Sequence, residues 1–203
     1  FCRAHFLELN CEKDGKMVAM RASKEEVKSA MADLNLGDEH CSIAAINGFK
    51  SVVLSGDAHS IDQVITRLGC SHKDLGVEYA YHSKKITAAA DAFKLKAEEI
   101  LSGHIQASAM RDDCNVYSCL TGQQCPPSVF ASAAYWHKQM ISSVLFADCI
   151  TSVVQPNSRV FFLELGMDNS LTSLINSISN NHKDALVACL SSLDRNASKS
   201  DLA

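Results

Sequence analysis

Residues 17–81 constrain the fold of this chain most, because they divide into six elements of clear type. The run Ser23-Lys24-Glu25-Glu26 has the spacing of a capping box and opens an apolar helical stripe, which predicts a helix after a first short strand. Asn47-Gly48 separates two β-branched runs and supplies the positive φ angles of a tight reversal, so it predicts a hairpin. A second helical stripe ends at Gly69, and the apolar, aromatic run at residues 77–81 is typical of a strand. The order strand, helix, strand, strand, helix, strand predicts a ferredoxin-like βαββαβ subdomain.

The pattern changes after this unit. A long helical stripe ends at Gly103, and alternating strand and helix patterns follow to about residue 190. Among them are one or two helices across residues 133–154 and a buried strand at residues 159–165. Such alternation predicts an α/β layer with a parallel sheet.

Composition excludes several classes of partner. The net charge of -4 gives no electrostatic reason to expect a nucleic acid or an anionic membrane. Apolar runs fall well short of the roughly 20 residues of a membrane helix, and no secretory signal opens the chain. Nine scattered cysteines indicate a reducing, cytoplasmic setting. Cys114, Cys119 and Cys125 lie close together but form no CxxC pair, so no metal site is expected.

His82 directly follows the run at residues 77–81 and precedes a helical pattern. The ordinary pKa of histidine suits it to accept and return a proton near neutral pH. The chain has eight histidines, and the alternative for any one of them is a hydrogen-bonded packing residue.

Several short motifs, in their order and spacing, resemble those of the acyltransferase (malonyl transacylase) domains of type I polyketide and fatty acid synthases. The resemblance covers nearly the whole chain. The matching residues are Arg3, Gly15-Lys16-Met17, Ala44-Ala45-Ile46-Asn47, Ser51-Val52-Val53-Leu54-Ser55-Gly56-Asp57, Tyr79-Ala80-Tyr81-His82-Ser83, Tyr135-Trp136 with Gln139, Phe146-Ala147-Asp148 and Phe162-Leu163-Glu164-Leu165-Gly166.

The resemblance implies an activity and its partners. In this family a serine in a GHSxG elbow is acylated by an acyl-coenzyme A such as malonyl-CoA, and the acyl group then passes to the phosphopantetheine thiol of an acyl carrier protein. No bound cofactor is implied, since the coenzyme A thioester is the substrate. Neighbouring synthase domains are the other implied partners. This sequence contains no GHSxG, so the resemblance places the nucleophile before Phe1 and implies that the chain alone is inactive.

The resemblance also assigns roles to single residues. His82 matches the catalytic histidine, and Gln139 falls where a backbone carbonyl holds the other N–H of that imidazole. Arg3 falls on the arginine that pairs with the free carboxylate of a malonyl group. Asn47 matches an asparagine near the substrate, although it can equally be a turn former.

The residues before His82 carry the implied choice of extender unit. Malonyl-selective members tend to read His-Ala-Phe-His there, and methylmalonyl-selective members Tyr-Ala-Ser-His. Tyr79 fits the second pattern, whereas the Tyr81 ring would fill the space of a branched methyl group. We give Tyr81 more weight and expect a preference for malonyl.

The resemblance divides the chain as follows. An α/β-hydrolase-like large subdomain carries the ferredoxin-like subdomain as an insertion, and only its C-terminal part is present. The expected segments are 1–14 for the end of the first part of the large subdomain, 15–81 for the ferredoxin-like subdomain, 82–193 for the C-terminal part of the large subdomain, and 194–203 for a linker.

Two other functions are compatible with the sequence. One is a non-catalytic ferredoxin-like and α/β scaffold that docks a carrier protein, which the absence of an upstream serine elbow would favour. The other is a serine hydrolase, which needs the same serine and usually an acid partner. An arginine placed for a carboxylate argues against the hydrolase.

Overall fold

A computed structural model describes residues 2–104, 114–166 and 169–192 of the chain. The expected linker at residues 194–203 lies outside the described residues. The helices are α1 (Cys2–Asn10), α2 (Lys24–Asp33), α3 (Ala58–Leu68), α4 (Thr87–His104), α5 (Ala133–Ile141), α6 (Phe146–Val153) and α7 (Ser170–Ser179). The strands are β1 (Gly15–Met20), β2 (Cys41–Gly48), β3 (Ser51–Asp57), β4 (His72–Asp74), β5 (Val116–Ser118), β6 (Gln123–Cys125), β7 (Arg159–Glu164) and β8 (Leu186–Ser191).

The first four strands form one antiparallel sheet in the order β2-β3-β1-β4. The predicted hairpin between β2 and β3 is confirmed, with Gly48 paired to Ser51 at its turn. The expected positive φ angles at Asn47 and Gly48 are wrong, because both residues belong to β2 and the chain reverses at the two residues that follow them. The capping box is also confirmed, because the Ser23 hydroxyl accepts from the Glu26 amide and the Glu26 carboxylate accepts from the Ser23 amide. The element order from β1 to β4 therefore agrees with the prediction.

The predicted strand at residues 77–81 is wrong. The edge position beside β1 is taken by β4, whose three residues are all exposed and polar and so carry no apolar signal. Beyond β4 the chain turns at Gly76, where φ is +65°. Its backbone then contacts the end of β1, where the Gly15 amide donates to the Glu78 carbonyl at 2.8 Å.

The four-stranded sheet packs its main core against α2 and α3. Residues at alternate positions of the strands point to this core, in keeping with the two-residue period of a strand. The fully buried members include Val18, Val27, Leu54, Ile61 and Val64.

The opposite face of the sheet holds a smaller cluster. Met17, Ala44 and Val53 are buried there, and Tyr81 packs against them. Tyr81 also contacts a separate cluster formed by α1, α4 and α5, which includes Leu7. One aromatic ring thus joins the sheet to the helical layer.

The C-terminal part contains a parallel pair of strands, β7 and β8, backed by α6 and α7. The predicted parallel pairing is confirmed, but the expectation of a buried strand is wrong, since one face of the pair is exposed. Phe161 is 63% exposed and Leu186 is 66% exposed. A parallel pair is ordinarily covered on both faces, so this apolar face is unusual.

The chain between α5 and α6 ties the helical layer to β2. The Ile46 amide donates to the Val144 carbonyl at 2.9 Å, and the Val144 amide donates to the Ala44 carbonyl at 2.8 Å. This contact brings the C-terminal end of α5 next to the sheet. Among the described helices, none combines the length and the apolar character required to cross a bilayer.

Candidate active site

His82 lies in a tightly fixed turn between the sheet and the helical layer. Its φ is +57°, a left-handed backbone conformation that a residue other than glycine adopts only when its surroundings enforce it. The neighbouring Ser83 is buried and supplies that constraint: its hydroxyl donates to the Ala80 carbonyl at 2.7 Å and accepts from the Lys85 amide. Lys85 in turn bonds Asp14 at 2.8 Å and also contacts Asp57.

The end of α5 fixes the imidazole of His82. Its Nδ1 lies 3.1 Å from the Gln139 carbonyl oxygen and 3.2 Å from the Ser142 carbonyl oxygen. The last four carbonyls of a helix have no partner within that helix, so they are free to accept. Because a carbonyl can only accept, Nδ1 carries the hydrogen and Nε2 keeps its lone pair. This arrangement selects the tautomer of a base without a carboxylate.

Arg3 on α1 reaches the same end of α5. Its guanidinium donates to the Gln139 side-chain oxygen at 2.9 Å. Gln139 therefore holds His82 through its backbone and Arg3 through its side chain. Arg3 is half-buried and forms no ion pair with any residue that the structure describes. A half-buried guanidinium that lacks a carboxylate partner is suited to bind one.

Burial and charge both alter the pKa of His82. Burial lowers its pKa below the ordinary value of 6.5, the charge of Arg3 lowers it further, and the two hydrogen bonds to the end of α5 act in the opposite direction. Burial also lowers the pKa of Arg3. His82 is therefore held in its neutral, proton-accepting form at neutral pH.

A cavity of about 430 Å³ opens beside His82. Its walls come from β2 and from the chain after α5, and include Ile43, Ile46 and Ser142. Such a volume lies in the range of small-molecule sites. The charged residues of its lining, apart from His82, are Lys24, Lys28, Lys84 and Asp38.

The other candidate residues are not among those that line this cavity. Tyr81 packs between the two layers next to His82, and Tyr79 meets the Tyr81 ring edge-on with centroids 6.0 Å apart. The Tyr79 ring also lies 5.9 Å from the Lys13 amine. Asn47 lines a second cavity, with Arg21 and others, rather than the one that holds His82. The structure thus brings His82, Gln139 and Arg3 together and leaves Asn47 apart from them.

Sequence reasoning missed some residues of this site. Ser142 contributes a backbone carbonyl. The available signal for it was its position at the end of the helical pattern that forms α5. Lys24 and Lys28 line the cavity, and their spacing of four residues within α2 was the signal for them. As for metals, no group of three or more His, Cys, Asp or Glu residues is arranged to hold an ion within residues 2–104, 114–166 and 169–192.

The sequence matches known proteins over most of its length. Residues 7–198 match the family model of the acyl transferase domain. A highly reducing polyketide synthase from a Fusarium species is 31% identical over 181 residues, which cover 86% of this chain and 7% of that synthase. Mycoketide-CoA synthase from Mycobacterium tuberculosis is 31% identical over 182 residues, which cover 88% of this chain and 4% of that synthase.

Solved structures show the same fold. The acyltransferase domain from the second module of the salinomycin polyketide synthase aligns with a TM-score of 0.78 and 28% identity, covering 98% of this chain and 44% of that one. Malonyl CoA-acyl carrier protein transacylase from Clostridium perfringens aligns with a TM-score of 0.75 and 20% identity, covering 99% of this chain and 60% of that one. The chain thus spans about half the length of these solved proteins and a small part of the two synthases.

Proposed function

The chain belongs to the acyltransferase domain family of polyketide and fatty acid synthases, and from this premise we propose that it carries the base and the substrate clamp of a malonyl transfer site. The acyl donor is malonyl-coenzyme A, and the acceptor is the phosphopantetheine thiol of an acyl carrier protein in the same synthase. The nucleophilic serine lies outside these 203 residues, since the sequence has no GHSxG.

His82 moves the proton in each half of the reaction. Nε2 accepts the serine hydroxyl proton as the serine oxygen bonds to the thioester carbon, and the carbon–sulfur bond then breaks. The imidazolium returns its proton to the departing coenzyme A thiolate. In the second half His82 takes the proton of the carrier thiol, whose sulfur attacks the acyl-serine, and then returns that proton to the serine. The carbonyls at the end of α5 stabilise the imidazolium between these steps.

Arg3 selects the acyl group. A malonyl group ends in a free carboxylate, which a guanidinium binds through two parallel hydrogen bonds. An acetyl group would leave the half-buried charge of Arg3 without a partner, which is unfavourable. The Gln139 side-chain oxygen accepts from the Arg3 guanidinium at 2.9 Å and so keeps it beside His82.

Tyr81 sets the preference for an unbranched extender unit. Its ring is packed on both sides, against the sheet cluster and against the helical cluster. It therefore has little freedom to move aside for the α-methyl group of methylmalonyl. One methyl group in an apolar pocket gives a discrimination of roughly 10-fold to 200-fold.

The proposed domain arrangement follows from the sheet order. The order β2-β3-β1-β4 with antiparallel neighbours supports a ferredoxin-like small subdomain. The parallel pair β7-β8 and its helices then belong to the α/β large subdomain.

One observation carries this proposal. A histidine whose tautomer is fixed by two helix-end carbonyls lies next to an arginine that binds the same glutamine. A docking scaffold has no need for this constellation.

The test is transfer from malonyl-coenzyme A to a carrier protein by the full-length protein that contains this chain. We expect His82→Asn to lower the rate by about 10²-fold to 10⁴-fold, the usual contribution of a general base. Asn tolerates the left-handed backbone, so this variant keeps the turn. We expect Arg3→Ala to lose malonyl transfer and to keep or gain acetyl transfer.

His137→Asn is the matched control, since His137 is paired with Asp91 and contacts neither His82 nor the cavity. The 203 residues alone should not form a stable acyl adduct with malonyl-coenzyme A. Full transfer activity in His82→Asn would exclude the proposed mechanism, and the absence of transfer by the parent protein would favour the scaffold.

A further inference from the structure

Two lysines in the cavity beside His82 have no role in the chemistry described so far. Lys24 and Lys28 lie on α2, four residues apart and therefore on one face of the helix. Lys24 is half-buried, and Lys28 is exposed. We call these two residues the basic pair.

The basic pair is not balanced by acidic groups. Lys84 and Asp38, the other charged groups of the cavity, lie 4.0 Å apart and offset each other. Lys16, by comparison, is paired with Asp62 at 2.7 Å. Neither member of the basic pair forms an ion pair with a residue in the described part of the chain. The cavity therefore keeps a net positive charge in a protein whose net charge is -4.

The positions of the basic pair are unfavourable for α2 itself. Lys24 is the first residue of the helix, where the helix dipole disfavours a positive charge. Lys24 and Lys28 also repel each other at a spacing of four residues.

An anion held between the two amines would remove their mutual repulsion. Acyl groups in the proposed reaction arrive on a phosphopantetheine arm, which has the reactive sulfur at one end and a phosphate at the other.

We propose that the basic pair binds the phosphate end of the phosphopantetheine arm while its thioester lies at His82. This inference rests on the proposed function, because the arm is the carrier in that reaction. Free coenzyme A and the carrier protein both contain the phosphate that lies next to pantetheine, and coenzyme A has two further phosphates, the second of its diphosphate and one on its ribose. The basic pair contributes binding energy and takes no part in the proton transfers.

The experiment compares malonyl thioesters in the full-length protein that contains this chain. The donors are malonyl-coenzyme A, its form without the ribose phosphate, malonyl-phosphopantetheine and malonyl-pantetheine. We expect Lys24→Gln/Lys28→Gln to raise the KM for phosphate-bearing donors by about 10-fold to 100-fold, with kcat unchanged. The KM for malonyl-pantetheine should not change, because that donor has no phosphate.

The donor series identifies the phosphate. An effect that persists with malonyl-phosphopantetheine assigns the basic pair to the phosphate shared with the carrier protein. An effect confined to malonyl-coenzyme A assigns it to the ribose phosphate, and one shared only with the form lacking that phosphate assigns it to the second phosphate of the diphosphate; either overturns the proposal as stated. An equal rise in KM for malonyl-pantetheine would show a change in cavity shape and would also overturn it.

Two controls isolate the charge. Lys94→Gln/Lys96→Gln removes two charges from α4, away from the cavity, and should leave every KM unchanged. Lys24→Arg/Lys28→Arg retains the charge and should restore most of the affinity.

Calorimetric binding of coenzyme A separates this inference from the proposed function. Binding that requires the basic pair, in a protein that transfers no acyl group, would support the phosphate site and reject the reaction. Transfer with coenzyme A binding that is unchanged in the double variant would support the reaction and reject the phosphate site.

Discussion

At the scale of single residues, the site depends on how the end of one helix replaces an acidic side chain. The carbonyls of Gln139 and Ser142 fix the tautomer of His82, a task that a carboxylate performs in the serine, histidine and aspartate triad. A neutral acceptor stabilises the imidazolium less than a carboxylate does, so burial and Arg3 together keep the pKa of His82 low.

This balance predicts a pH dependence. Because the pKa of His82 is lowered below 6.5, the basic form persists to lower pH, and kcat/KM for acetyl transfer should decline only below 6.5. Arg3→Gln removes the nearby positive charge, so the midpoint should move upward toward 6.5. The acetyl donor is chosen because it does not require the Arg3 charge. The measurement is a pH profile of kcat/KM.

Lys138→Gln serves as the control, since Lys138 is on α5 and is not among the groups that affect the pKa of His82. A midpoint that is unchanged in Arg3→Gln would contradict the assigned coupling.

The lowered pKa of His82 also makes stability depend on pH. Between the lowered pKa and 6.5 the unfolded chain binds more protons than the folded chain. The free energy of unfolding therefore decreases as pH falls through that window.

The residues of the site were predictable to different degrees. His82, Gln139 and Arg3 were identified through motifs that resemble those of a family, and the structure brings these three residues together. Ser142 and the basic pair were not identified, because a backbone carbonyl leaves no trace in residue type and exposed lysines are common on helices. Asn47 was grouped with the site, but it lines a different cavity.

At the scale of elements, the signals with a local physical cause predicted structure well. The capping box and the left-handed Gly69 formed as expected. The hairpin also formed, but its turn lies after Asn47-Gly48, which are part of β2 and have no positive φ. The predicted strand at residues 77–81 did not form. Its apolar pattern was read as one face of a strand, whereas Tyr81 packs between two layers. The edge position beside β1 is occupied by β4, whose three residues are polar and give no apolar signal.

Gly15 shows how closely these elements approach each other. A Cβ at this position would lie 2.3 Å from the Ala80 amide nitrogen and 2.8 Å from the Tyr79 carbonyl carbon, both backbone atoms. We expect Gly15→Ala to lower the free energy of unfolding by about 1–3 kcal/mol, the usual cost of overpacking. Since the displaced backbone leads into His82, transfer activity should fall as well.

Urea unfolding and a transfer assay would check this prediction. Gly166→Ala is the matched control, because a Cβ there meets nothing within 4 Å. If both variants unfold at the same urea concentration, the close approach at Gly15 has been overestimated.

At the scale of the whole molecule, the β7-β8 pair presents an apolar face. Leu163 and Leu190 are directly paired across the two strands, and each is more than half exposed. Clustered apolar groups on a sheet surface promote association between copies. We expect the 203-residue chain to self-associate in a concentration-dependent manner, and Leu163→Lys/Leu190→Lys to reduce this association severalfold. Light scattering over a range of concentrations provides the measurement.

The control is Leu95→Lys, which alters an isolated leucine on α4 that is 70% exposed. A single exposed leucine outside a patch is ordinary and should contribute little. Equal association of the parent chain and the strand variant would locate the contact elsewhere.

The close approach of Gly15 to the chain just before His82 also has a consequence for inheritance. A unit whose two ends meet can be exchanged by recombination without moving the rest of the molecule. Such an exchange would transfer the cavity wall formed by α2 and β2, with its basic pair, while His82 and Gln139 stay in the recipient. A different cavity wall could then be acquired in one genetic event, while Arg3, Tyr81 and the turn at His82 are inherited intact.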